Sequence, residues 1–143
     1  MVRIVADTNV FVSSFFGGNA RKVIDLWKTQ QVQLCLSRDI LDEYVAVLQR
    51  MGLKDQQELK ELLNLFSQGY QVIFATNTPH LTIVHEDPAD DKFIECAVAL
   101  HAQVIVTGDK ALRAVQDYMG IKIFTPREFL MWHEKHRHNT SAK

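Results

Sequence analysis

The chain begins with a short apolar run that stops at a carboxylate. Residues 2–6 are Val-Arg-Ile-Val-Ala, and Asp7 follows them directly. A run of this kind is typical of a buried strand in a parallel sheet, whose two faces are covered by helices. In open α/β sheets, ligands and metals gather at the carboxyl ends of the strands. Asp7 is therefore either a functional acid at that edge or a cap of the following element, and its position alone favours neither interpretation.

Strand-like and helix-like segments alternate along the rest of the chain. Apolar runs predict strands at residues 32–36, 72–75, 81–84, 104–106 and 121–124. The strand at residues 72–75 is a candidate for a sheet edge. Repeated strand–helix units predict an α/β protein with three layers (α/β/α), in which helices cover both faces of a central, mainly parallel sheet.

Apolar residues at helical spacing predict the helices that connect these strands. They are expected at residues 19–29, 37–51, about 59–69, 87–101 and from 126 onward. A Ser/Gly-rich bend is expected at residues 13–18, and a short helix after Asp109. The Asp-Pro pair at residues 87–88 and the Thr-Pro-Arg-Glu segment at residues 125–128 are typical helix starts.

Length and composition indicate one domain in a reducing compartment. The 143 residues are 47% hydrophobic and 23% charged, and no segment approaches the length of a membrane span. No signal peptide is visible, and Cys35 and Cys96 lie in apolar runs, so we expect a cytoplasmic protein with reduced cysteines. The domain is expected to cover residues 1–130, with a helix end and polar tail at residues 131–143. The net charge of −1 excludes a wholly basic surface but is compatible with a local basic rim.

Three further acids are candidates to share an edge with Asp7. Asp109 repeats the situation of Asp7, because it follows the predicted strand at residues 104–106 after a short turn. Since the carboxyl ends of parallel strands meet at one edge of a sheet, these two acids are expected to lie together. Asp91 lies on the apolar stripe of its predicted helix, and Glu43 lies between apolar positions of another helix. A carboxylate that faces apolar surface is costly unless it is paired or binds a metal.

These acids suit a hard cation better than zinc. Mg²⁺ and Mn²⁺ prefer oxygen ligands, whereas tetrahedral zinc sites favour clustered His and Cys, which do not accompany these acids. Asp87 and Asp90 have a simpler explanation as N-cap and first-turn residues that satisfy free amides, although Asp90 remains a candidate metal neighbour. The basic residues near the acidic segments are candidates for holding a phosphate backbone, namely Lys92, Lys110, Arg113 and Arg38.

Four segments carry a family resemblance. They are Ala-Asp-Thr-Asn at residues 6–9, Ile-Leu-Asp-Glu-Tyr at 40–44, Asp-Pro-Ala-Asp-Asp-Lys-Phe-Ile-Glu-Cys-Ala at 87–97 and Val-Thr-Gly-Asp-Lys at 106–110. In this order they resemble the four acidic blocks of the PIN-domain family, and most of all its bacterial VapC-like toxins. The first segment alone is weakly specific, whereas the last two together are specific. The resemblance covers residues 2–129.

The resemblance implies an endoribonuclease that needs Mg²⁺ or Mn²⁺ and serves as the toxin of a type II toxin–antitoxin system. Metal-activated water would hydrolyse the RNA phosphodiester bond. Carried over by position, the catalytic and metal-binding acids would be Asp7, Glu43, Asp91 and Asp109. Their polar companions would be Asn9 and Thr107, and Asp90 competes with Asp91 for the place of the third acid. The number of metal ions, one or two, stays open.

The same resemblance implies partners. PIN toxins commonly form homodimers, and a cognate antitoxin places its C-terminal segment in the acidic groove; no membrane partner is expected. The apolar stripe at residues 59–66 is either such an interface or part of the core. Two alternative functions remain. The chain can be a non-catalytic RNA- or partner-binding module on the same fold, or a phosphotransferase in which Asp7 attacks phosphate beside Lys110 and Asp91.

Overall fold

The computed structural model describes residues 1–52 and 56–141, and a six-stranded sheet forms its centre. The strands are β1 (Val2–Ala6), β2 (Val32–Ser37), β3 (Val72–Ala75), β4 (Val104–Val106), β5 (Asp117–Tyr118) and β6 (Ile121–Phe124). Their order is β3-β2-β1-β4-β6-β5. β5 runs antiparallel to β6, and the other described pairings are parallel. The predicted, mainly parallel sheet is confirmed, with β3 at an edge.

Helices cover both faces of the sheet, which gives the predicted three-layer α/β/α arrangement. The helices are α1 (Thr8–Ser14), α2 (Gly18–Lys28), α3 (Arg38–Arg50), α4 (Gln56–Ser67), α5 (Asp91–Leu100), α6 (Lys110–Arg113) and α7 (Pro126–Ser141). α5 packs along β1, β2, β3 and β4, whereas α7 packs against β4, β6 and α2. A 3₁₀ turn (Pro88–Asp90) precedes α5, so the helix predicted from residue 87 begins in a tighter form.

The strand predicted at residues 81–84 is wrong. The backbone N–H groups of Leu81, Ile83 and Val84 do not pair with a neighbouring strand but donate to the carboxylates of Asp91 and Glu95 on α5. Carboxylate oxygens therefore satisfy the amides that a β-ladder would otherwise satisfy. The result is an irregular segment that is fastened along α5.

Two elements escape the sequence prediction. α1 occupies the residues immediately after Asp7, where no helix is predicted, and only its end reaches the predicted bend. Asp7 caps this helix, which explains how a helix can begin directly after a buried strand. β5 has only two residues and forms a hairpin with β6 through Met119 and Gly120, which have φ angles of 52° and 83°. A strand this short leaves no periodic pattern in the sequence.

Four aromatic side chains pack together in the core: Phe11 of α1, Trp27 of α2, Tyr44 of α3 and Phe66 of α4. The ring centroid of Phe11 lies 4.7 Å from that of Tyr44 and 5.4 Å from that of Phe66. The hydroxyl of Tyr44 also donates a hydrogen bond to the carbonyl of Ala6. This contact fixes α3 against the carboxyl end of β1, where the candidate site lies.

The C-terminal helix is more buried than its polar sequence suggests. The polar end expected at residues 131–143 is not solvated at His133, which is 8% exposed and whose ring centroid lies 5.8 Å from that of Phe129. Burial lowers the pKa of His133. Residues 142–143 of the predicted tail lie outside the described part of the chain.

The two cysteines agree with the sequence prediction, since Cys35 and Cys96 are both buried free thiols. Burial raises the pKa of Cys35 to about 12, so it stays protonated at neutral pH. Within residues 1–52 and 56–141, no helix combines the length and the apolar character needed to cross a membrane.

Candidate active site

The candidate site lies where the sheet order changes direction, between β1 and β4. The chain passes from β1 to β2 and β3 on one side and returns to β4 on the other. Such a switch point opens a crevice at the carboxyl ends of the strands. Thr107, which follows β4, donates its hydroxyl to Oδ2 of Asp7 at 2.6 Å. The backbone N–H of Asp7 donates to the carbonyl of Val106 at 3.0 Å, so the two strand ends hold each other in place.

Asp7 caps α1 and also faces the other acids. It is 5% exposed, and its Oδ1 accepts a hydrogen bond from the N–H of Asn9 at 3.2 Å. Burial raises the pKa of Asp7, whereas the hydrogen bonds from Thr107 and Asn9 lower it. The negative charges of Asp109 and Glu43 raise this pKa further. The two interpretations of Asp7 are therefore compatible, because the same carboxylate caps α1 and faces the other acids of the site.

Asp109 reaches the site from the turn after β4. Its backbone N–H donates to the hydroxyl oxygen of Thr107 at 2.9 Å, so Thr107 links the two strand-end acids. Oδ2 of Asp109 accepts a hydrogen bond from the N–H of Leu112 at 3.3 Å and caps α6. Thr107 is fully buried and has little freedom to turn away from these partners.

Glu43 projects from α3 and is held at both carboxylate oxygens. Thr8 donates its hydroxyl to Oε2, and Nζ of Lys92 lies 2.7 Å from Oε1. Lys92 is predicted to bind phosphate, but in the structure its ammonium forms an ion pair with a site acid. Thr8 is absent from the predicted site, although its place between the candidates Asp7 and Asn9 is a usable signal.

Asp90 is the neighbour of the strand-end acids at the start of α5. Burial raises the pKa of Asp90 to about 8, together with a hydrogen bond to the carboxyl group of Asp109. The negative charges of Asp87, Asp109 and Asp7 raise it as well. Such interactions require the carboxyl groups to be close, and they place Asp90 with Asp7 and Asp109 in one acid group.

Asp91 has a different set of contacts. It is 7% exposed, and its Oδ1 accepts hydrogen bonds from the N–H groups of Ile83 at 3.0 Å and Val84 at 2.8 Å. Consecutive side chains at a helix start point about 100° apart, so Asp90 and Asp91 face different surroundings. The predicted placement of Asp91 in the acid group is not supported by these contacts, which favour Asp90 as the third acid.

The donor set suits a hard divalent cation. The acids that the structure brings together are Asp7, Glu43, Asp90 and Asp109. Carboxylate oxygens are preferred ligands of Mg²⁺ and Mn²⁺, and crowded negative charges favour a bound cation. Among the described residues, no three His, Cys, Asp or Glu side chains form a complete metal-ligand cluster as they stand. Asp90 and Asp109 are half-buried, so a cation can reach their carboxyl groups from solvent.

The other basic candidates differ in their contacts. Lys110 and Arg113 are exposed on α6, the helix that Asp109 caps. Arg38 instead pairs with Asp42 at 3.3 Å on the exposed surface of α3. Phosphate binding by Lys110 and Arg113 stays a prediction, and the ion pair of Arg38 makes it a weaker candidate.

A cavity of about 420 Å³ lies elsewhere in the molecule. Its lining includes Val2 and Gln103, which stand at the amino-terminal ends of β1 and β4, and Trp132 and His133 of α7. The cavity lies at the amino-terminal ends of these strands, whereas the acids lie at their carboxyl ends. The cavity is therefore separate from the candidate active site.

Comparison with known proteins assigns the family. A PIN-domain family model matches residues 3–111, which is most of the chain. The chain belongs to the PIN-domain family. An uncharacterized protein of Methanocaldococcus jannaschii is 32% identical over 148 aligned positions, which cover 94% of this chain and 93% of that protein.

A solved structure agrees with the PIN fold. One chain of VapBC2 from Rickettsia felis, bound to a DNA fragment from its promoter, superposes with a TM-score of 0.55 at 14% identity. The superposition covers 85% of this chain and 97% of that chain. The PIN domain predicted from the four acidic segments is confirmed, and the matched residues include the whole acid group.

Proposed function

We propose that this PIN domain is a divalent-metal-dependent endoribonuclease and the toxin of a type II toxin–antitoxin system. The observation that carries the proposal is the convergence of Asp7, Glu43, Asp90 and Asp109 at the carboxyl ends of β1 and β4. PIN domains are generally nucleases that use divalent ions, and this set of carboxylates suits that chemistry.

The acid group would hold Mg²⁺ or Mn²⁺ through Asp7, Asp90 and Asp109, with Glu43 beside it. A bound ion supplies positive charge to the phosphodiester in the transition state and makes a bound water more acidic. The protein determines where the bound ion would lie, because it fixes the positions of the carboxylates. Thr107 orients Oδ2 of Asp7 and holds the backbone of Asp109, so both strand-end acids keep their positions.

The residues around the acids would bind and orient the RNA. Lys110 and Arg113 are exposed on α6 and suit contacts with phosphate oxygens. Asn9 is exposed two residues after Asp7, and its side-chain amide can donate a hydrogen bond. Asp91 acts at a distance from the chemistry, because it fastens the 81–84 segment that leads into Asp90.

A cleavage assay on defined RNAs tests the activity. The wild-type protein is expected to cut RNA with Mg²⁺ or Mn²⁺ and to stop when EDTA is added. Asp7→Asn keeps the size of the side chain and should abolish cleavage, whereas Asp25→Asn, an exposed change on α2, should leave it intact. RNA binding without cleavage under any metal would favour a non-catalytic module. A trapped phosphoaspartate at Asp7 would favour phosphotransfer.

The toxin assignment has its own test. It is supported by the likeness of the fold to a chain of VapBC2, a toxin–antitoxin complex. Expression of the wild-type chain should arrest growth, Asp7→Asn should not, and co-expression of a small protein encoded beside the gene should restore growth. Light scattering on the purified chain tests the proposed homodimer. RNA cleavage without growth arrest would leave a nuclease that is not a toxin.

A further inference from the structure

Glu43 is neutralised by other side chains of the protein itself. Nζ of Lys92 lies 2.7 Å from Oε1, and Thr8 donates to Oε2, so each carboxylate oxygen has a partner. The side chains of Lys92 and Glu43 are 19% and 33% exposed. Water therefore screens their attraction less than it screens a pair on the open surface.

The ammonium of Lys92 is held in this place by α5. Lys92 follows Asp91 in the first turn of that helix, and its Nζ lies 5.6 Å from the ring centroid of Phe93, which is fully buried. A cation near an aromatic face gains a favourable electrostatic interaction. Lys92 thus bridges α5 to Glu43 on α3 beside the acid group.

The other three acids lack such a partner. Among the described residues, no ion pair involves Asp7, Asp90 or Asp109, which interact with hydroxyl groups, amides and one another. Within the acid group, the carboxyl groups that lack an ion pair are therefore these three. One divalent cation would balance most of their negative charge when all three are ionised.

We propose that Lys92 takes the place of a second metal ion: this site binds one divalent cation at Asp7, Asp90 and Asp109, and Lys92 neutralises Glu43. The proposal rests on the proposed function, because it concerns the same metal. In two-metal sites the ions lie about 3.5–4 Å apart and share the surrounding carboxylates. Here the ammonium already supplies the positive charge that a second ion would bring to Glu43. Lys92 is a positioning residue rather than a catalytic residue.

Calorimetric titration of the intact chain with Mn²⁺ tests the stoichiometry. The wild-type protein should bind one ion per chain. Lys92→Met frees Glu43 and should allow a second ion to bind, whereas Lys92→Arg keeps the charge and should retain one. Lys22→Met, which removes an exposed lysine from α2, is the matched control and should also retain one. Adding Glu43→Gln to Lys92→Met should return the count to one, which would locate the second ion at Glu43.

The outcomes separate this proposal from the proposed function. Two ions in the wild-type protein, or a single ion in folded Lys92→Met, would overturn the role of Lys92 alone. If circular dichroism shows that Lys92→Met does not fold, Glu43→Gln provides the test. This variant should still bind one ion, with an affinity within a few-fold of wild type. Loss of that ion would overturn the proposal. A wild-type chain that binds no Mn²⁺ would overturn the metal site itself.

Discussion

The neighbours of Asp90 change the ordinary chemistry of its carboxyl group. Its pKa in the folded protein is about 8, whereas an aspartate in an unfolded chain has a pKa of about 4. Between these pH values the folded state holds a proton that the unfolded state releases. The free energy of unfolding therefore falls as pH rises from about 4 to about 8. The acid group lowers stability at neutral pH, and a divalent cation would offset that cost.

Asp90→Asn should stabilise the metal-free protein near pH 8. The substitution removes the carboxyl group whose ionisation is unfavourable, so the loss of stability between pH 4 and 8 should become smaller. We expect a melting temperature a few °C above wild type at pH 8, since 1 kcal/mol corresponds to roughly 4 °C in a domain of this size. Thermal unfolding in EDTA from pH 5 to 9 measures this. Parallel curves for the two proteins would contradict the prediction.

Thr107→Val should destabilise the protein by about 1–3 kcal/mol, because the buried Asp7 carboxylate loses a hydrogen-bond donor. The backbone N–H of Asp109 loses its acceptor in the same step. Valine has nearly the same shape as threonine, so packing should change little. Urea unfolding at pH 7 gives the difference. Thr29→Val, at an exposed site, should change stability by less than about 0.5 kcal/mol, and an equal effect of both variants would contradict this role of Thr107.

At the scale of elements, sequence periodicity predicts most of the sheet and fails where side chains replace backbone partners. β1, β2 and β4 are mainly apolar and largely buried, and they are predicted correctly because both faces of the sheet are covered there. The segment at residues 81–84 has the same apolar character. Its amides, however, bond to carboxylates of α5, a pairing that no local pattern reveals.

Asp91→Ala should loosen this segment rather than remove the metal. The N–H groups of Ile83 and Val84 would lose their acceptor, which we expect to cost about 1–3 kcal/mol for the buried Val84 amide. Hydrogen exchange should become faster at these two amides, while Mn²⁺ affinity should fall less than in Asp90→Asn. Glu86→Ala, an exposed neighbour, serves as the control. A complete loss of Mn²⁺ binding in Asp91→Ala without faster exchange would show that Asp91 is a ligand.

The candidate site, too, is predicted from sequence only where local pattern determines the position of a side chain. Asp7 and Asp109 can be placed together from sequence, because each follows a buried strand of one parallel sheet. The choice between Asp90 and Asp91 depends on the direction in which two adjacent side chains leave a helix start, and sequence spacing does not give that direction. The partner of Lys92 is equally hidden, because it lies on a different helix, 49 positions away in the chain.

For the whole molecule, the order of the strands is what makes a site. β1 lies between β2 and β4, so the ends of β1 and β4 become neighbours although about 100 positions separate Asp7 from Thr107. The net charge of −1 gives no sign of this arrangement. Positive and negative charges nearly cancel over the whole chain, although the acids of the site lie together at the carboxyl ends of the strands. The unfolded chain brings no such group together.

Mn²⁺ should therefore stabilise the folded protein strongly, because the unfolded chain offers no comparable ligand set. A ligand at 100 times its dissociation constant contributes about 2.7 kcal/mol, which predicts a rise in melting temperature of roughly 10 °C. Asp109→Asn should lose most of this rise, whereas Asp25→Asn should keep it. The rise should be smaller at pH 5 than at pH 8, because the cation has to displace the proton that Asp90 holds at low pH. Equal shifts in Asp109→Asn and wild type would place the metal outside the acid group.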